Sequence, residues 1–129
     1  MNKILIYSLK LILKLILKYS NKLRYMVNHD ITSRKAKPSI CIPHSIKNTN
    51  WLFVKNTFEN IFDSNCIKKV DIINKKNKKN VDYTCVFIHF IEWPSSDYAQ
   101  NIREKLLNGD EIKIVYNFPL YWKCYASKY

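Results

Sequence analysis

From Ser39 onward the apolar positions switch repeatedly between a two-residue and a helical period. Residues 39–46, SICIPHSI, alternate with Ile40 and Ile42 on one side and predict a short strand that Pro43 stops. Thr49 and Asn50 can cap a helix in which Trp51, Val54, Phe58, Ile61 and Phe62 recur at helical spacing. IKKVDIIN (67–74) predicts a second strand, with KKNKKN (75–80) as the loop after it. Tyr83–Phe90, rich in aromatic and β-branched residues, predicts a third. Trp93-Pro94 break that run, and Ser95 or Ser96 caps a second helix with Ala99, Ile102 and Leu106 on its buried stripe. Asn108-Gly109 end the helix where a left-handed cap is needed. EIKIVY and LYWKCYA, joined through Asn117-Phe118-Pro119, predict a closing hairpin. The order is βαββαβ with the last strand doubled. It predicts an α+β, ferredoxin-like fold: a four-stranded antiparallel sheet, two helices on one face, and an extra hairpin before the last strand.

The N-terminal pattern is different. In residues 3–18, Lys3, Lys10, Lys14 and Lys18 fall on one helical stripe and Leu and Ile fill the rest. The longest uncharged stretch there, Ile4–Leu9, is far short of the ~20 residues that span a bilayer. Lys10 and Lys14 also interrupt any signal-peptide core, and no small-residue cleavage site follows. Three readings stand: a helix lying in a membrane interface, a helix packed on a partner, or a segment outside the working protein, with Met26 as the start. The chain thus divides into an amphipathic segment at 1–25, a polar leader at 26–37 and a domain at 38–129.

Length and charge narrow the function. The 129 residues allow one domain. A formal net charge of +12 favours an anionic partner such as nucleic acid or a membrane surface. Most of that charge is local: residues 1–36 carry +7 and residues 37–129 only +5. Lysine outnumbers arginine 19 to 3, and with the Asn and Ile bias this matches what an A/T-rich genome produces without selection for binding. The cysteines at 41, 66, 85 and 124 show no zinc-site spacing and read as free thiols in a reducing, intracellular compartment. With one glycine there is no phosphate-cradling loop, and no nucleophile or metalloprotease motif is present. The sequence therefore predicts a binding module with no catalytic residues, no cofactor and no metal.

Tyr83–Phe90 resembles the octamer of the RNA recognition motif, agreeing at Phe87, Ile88 and Phe90 and departing at Tyr83, Thr84 and Cys85. Cys41 likewise stands where the first strand of that family carries an outward aromatic. The longer run from Phe90 to Ala126 resembles small RNA-recognition-motif-like proteins of large nucleocytoplasmic DNA viruses. It shares Phe-x-x-Trp after the third strand, LLNG at the helix end, an acidic-Ile-Lys-Ile-Val-Tyr strand, and a last strand with Trp122-Lys123. Asn117-Phe118 stand where two acidic residues are common. The resemblance implies the fold, and an infected cell or virion as the setting.

Strand alternation sorts the candidate site. If Val86, Ile88 and Phe90 face the helices, then Cys85, Phe87 and His89 face outward; on the last strand Trp122 and Cys124 turn in, and Tyr121, Lys123 and Tyr125 turn out. Bases can stack on Phe87, Tyr121 and Tyr125 beside His89, Lys123 can neutralise a phosphate, and Lys75, Lys76, Lys78 and Lys79 can add a salt-sensitive grip. The expected function is single-stranded nucleic acid binding, RNA preferred. The alternative is a protein-interaction module of the same fold, with a protein partner on the sheet face, and peripheral membrane contact through residues 3–18 is a third reading.

Overall fold

A computed structural model describes residues 34–128, and the amphipathic segment at 3–18 and the leader as far as residue 33 lie outside the described residues. The elements are β1 (Ile40–Ser45), α1 (Trp51–Phe62), β2 (Ile67–Lys76), β3 (Asp82–Phe90), α2 (Asp97–Leu107), β4 (Ile112–Asn117) and β5 (Leu120–Ala126). The protein is α+β. Its strands form one open antiparallel sheet in the order β2-β3-β1-β5-β4. The sheet thus has five strands where four were expected, because β4 does not stand apart as a hairpin arm: it pairs along β5 and becomes an edge.

Both helices start where their caps dictate. The Asn50 side chain accepts hydrogen bonds from the amides of Leu52 and Phe53, and Ser96 accepts from Ala99. Gly109 ends the second helix at φ +87°, the left-handed conformation its position requires. The helices bury Val54, Phe58, Phe62, Ala99 and Leu106 in the same cluster as Ile40, Ile42, Val86, Ile88, Phe90, Ile112, Ile114, Trp122 and Cys124. One sheet face is therefore covered by helices. Trp51, expected on the buried stripe of α1, is instead 55% exposed as the first residue of the helix.

Aromatic rings fill the core. Phe58 stacks on Trp122, Trp122 on Tyr116, and Phe90 on Trp93 at a centroid distance of 4.1 Å. Trp93, expected only to break the third strand, is buried, and its indole Nε1 donates to the Pro38 carbonyl at 2.9 Å.

Two boundaries differ from the sequence expectation. β2 continues through Lys75 and Lys76, which pair with Tyr83 and Asp82, so the turn begins only at Asn77. There the Asn77 side chain accepts from the amides of Lys79 and Val81 and holds the turn by local bonds. β1 does not stop at Pro43. It pairs Ile42 with Val86 and then Ser45 with Thr84, so Pro43 and His44 together oppose Cys85 in a β-bulge. A proline has no amide to give the ladder, and a bulge is where a strand tolerates one.

Candidate nucleic-acid interface

The register lays out the face opposite the helices as a grid. Across one row stand Asp71, Phe87, Cys41, Tyr125 and Glu111; across the next, Ile73, Cys85, the bulge, Lys123 and Lys113; across a third, Lys75, Tyr83, Tyr121 and Val115. The expected neighbours are therefore brought together: Cys41 lies between Phe87 and Tyr125. Trp122 and Cys124 are buried, while Tyr121 is 43% exposed and Lys123 is exposed, as the alternation of β5 requires.

The bulge does two things to this face. An inserted residue resets the alternation, so Pro43 and His44 both fall on the open side while Ser45 turns inward. The His44 ring stacks on Tyr83 with centroids 4.5 Å apart. Pairing of β1 with β5 also ends at Cys41–Tyr125, short of the bulge, although β5 starts as far back as Leu120. The strands part there, and a cleft of about 440 Å³ opens between them, lined by Pro43, His44, Tyr121, Lys123 and Tyr125. Lys113 Nζ sits 5.1 Å from the centroid of the Tyr121 ring.

Not every predicted site residue meets the cleft. Phe87 is half-buried in the central row. His89 is held on both ring nitrogens, with Ser39 Oγ 2.9 Å from Nδ1 and Asp71 Oδ2 2.9 Å from Nε2, and Lys69 adds an ion pair to Asp71 at 3.5 Å. These residues have the composition of a hydrolytic relay, but Ser39 is only 2% exposed, so its hydroxyl is out of a substrate's reach. The group is a clasp across three strands. Lys75 shares the open face with Tyr83, whereas Lys76, one residue on, turns to the other side and meets Asp82 at 3.9 Å. Lys78 and Lys79 lie in the exposed turn.

Burial acts on three of the thiols. Burial pushes Cys41 and Cys66 up to about 11 and Cys124 to about 12, with Cys85 beside Cys41 adding to its shift. All four cysteines are free, and among the described residues no group of three or more His, Cys, Asp or Glu side chains is placed to hold a metal. The Tyr125 hydroxyl donates to Glu111, which raises its pKa above the ordinary 10.0. No helix of the described residues is long and apolar enough to cross a membrane.

Sequence reasoning missed Pro43, His44, Tyr83 and Lys113. The proline was itself a signal, since a proline inside an alternating run marks an edge or a bulge. No protein-family model, curated protein or solved structure matches this chain.

Proposed function

We propose that the domain binds single-stranded nucleic acid, RNA in preference to DNA, through the open sheet face. The arrangement it rests on is ferredoxin-like, of the RNA-recognition-motif type, with β4 added at one edge. One observation carries the reading: the cleft beside β5 combines the rings of Tyr121, Tyr125 and His44 with the ammonium of Lys123. Rings of this kind offer every base a π-face, and a lysine beside them takes the phosphate. The role is one of binding rather than catalysis, and the free thiols suit a reducing compartment.

A competing reading is a protein partner on the same face. The exposed apolar side chains of Val115, Leu120 and Phe118 around the hairpin favour it. Fluorescence anisotropy with a labelled RNA octamer, and its DNA counterpart, separates the two. Wild type is expected to bind RNA more tightly than DNA, and the Tyr121→Ala/Tyr125→Ala variant to lose at least tenfold in affinity. Equal binding by the variant would overturn recognition through this face. Unchanged affinity in the variant together with a steep fall of binding as salt rises would show that lysines alone hold the strand.

A further inference from the structure

The open face divides into two halves of different character. Around Phe87 the row ends in carboxylates on both sides, Asp71 on β2 and Glu111 beside β4. Each is held in place, Asp71 by His89 and Lys69 and Glu111 by the Tyr125 hydroxyl. A polyanion laid across that row would bring phosphates towards Glu111, whose carboxylate has no lysine partner among the described residues, whereas Lys69 partly offsets Asp71. Towards the bulge the pattern reverses. Lys75, Lys113 and Lys123 share the face with Tyr83, His44 and Tyr121, and the turn lysines Lys78 and Lys79 follow directly on β2. Among the described residues the carboxylate at this end is Asp82, within reach of Lys47 at 3.5 Å and of Lys76 at 3.9 Å.

We propose that the strand crosses the sheet at the bulge end, over Tyr83 with His44 and then Tyr121, with phosphates on Lys75, Lys123 and Lys113, and that it bypasses Phe87. This rests on the single-strand reading above and moves its contacts. In the family that the sequence resembles, the central strands carry the stacking rings; here Cys41 and Cys85 take two of those outward positions beside a half-buried Phe87, and further rings lie along the strands where the bulge turns His44 outward. The path from β2 to β4 crosses four strand spacings, roughly 19 Å, which suits a short site of about four nucleotides.

The test uses the full chain and a labelled RNA octamer at low salt. His44→Ala, Tyr83→Ala and Tyr121→Ala are each expected to weaken binding about 5- to 150-fold, the range of a lost base stack, and Phe87→Leu less than about twofold. Photocrosslinking of wild type to a 4-thiouridine octamer gives a readout independent of variant folding. Adducts on peptides holding His44, Tyr83 or Tyr121 support the path. A Phe87 adduct, or a loss in Phe87→Leu matching that in Tyr121→Ala, overturns the path and leaves single-strand binding standing. Failure of wild type to bind RNA or single-stranded DNA removes the underlying reading and the path with it.

Discussion

Ser39 and His89, fifty residues apart in sequence, are joined by a 2.9 Å contact between Oγ and Nδ1 that ties the start of β1 to the end of β3. The hydroxyl is buried, and the ring is its hydrogen-bonding partner. His89→Ala should therefore cost about 1–3 kcal/mol, the penalty for leaving a buried polar group unmet. Asp71 is about half exposed and can turn to water, so Asp71→Ala should cost under about 1 kcal/mol. Urea midpoints of the two variants check the order; a larger loss in Asp71→Ala would show that the clasp is held from the other end.

Trp93 joins packing and hydrogen bonding in one side chain, stacked on Phe90 and bonded to Pro38. Trp93→Ala should destabilise the domain by about 3–5 kcal/mol. Trp93→Phe keeps an aromatic ring but leaves the Pro38 carbonyl without its donor, for about 1–3 kcal/mol. If chemical denaturation shows Phe to be as costly as Ala, shape rather than the indole bond dominates.

The shifted thiols predict chemistry at alkaline pH. At pH 8 a thiol at the ordinary 9.0 is about one-tenth thiolate, while Cys41 and Cys66 near 11 are about one-thousandth. Iodoacetamide, read out by peptide mass spectrometry, should thus modify Cys41 and Cys66 about 100-fold more slowly in the native protein than in the urea-unfolded chain. Because the folded values are raised, the stability these thiols contribute is complete below pH 9 and is lost as pH climbs through 9 to 11, and towards 12 for Cys124. Rapid alkylation of Cys41 or Cys66 in the native protein at pH 8 would contradict the burial.

Glu111 should set the ionisation of Tyr125. Removing the carboxylate in Glu111→Ala takes away both its hydrogen bond and its charge, so the Tyr125 pKa should fall back towards 10.0. Absorbance titration near 295 nm, read as the difference between variant and wild type, isolates this one tyrosine. Superimposable curves would mean that the pairing does not persist in solution.

How much of this was legible in the sequence depends on how far each feature reaches along the chain. The alternation of β5 is local, and it correctly turned Trp122 and Cys124 inward and Tyr121 and Lys123 outward. The helix caps at Asn50 and Ser96 are local too, and were read to within a residue. The parity of β1 was lost at Pro43, because a single inserted residue sends His44 to the face opposite the one that simple counting assigns. Cys85 is outward by alternation yet only 5% exposed, since a central strand's outward side chain is covered by neighbours that counting does not see. The clasp depended on a register between three strands, which no local pattern encodes.

The outermost strand of the sheet, β2, ends in Lys75 and Lys76 and carries Lys68 and Lys69 near its start. Ten residues of strand whose outer edge pairs with no other strand among the described residues form a template on which a second copy could pair backbone to backbone. In an antiparallel encounter between two such edges, the lysines of one copy's start would meet those of the other's end, and repulsion would oppose the pairing. Lys75, the edge lysine proposed to meet a phosphate, thus also belongs to the set of charges that opposes pairing of two such edges.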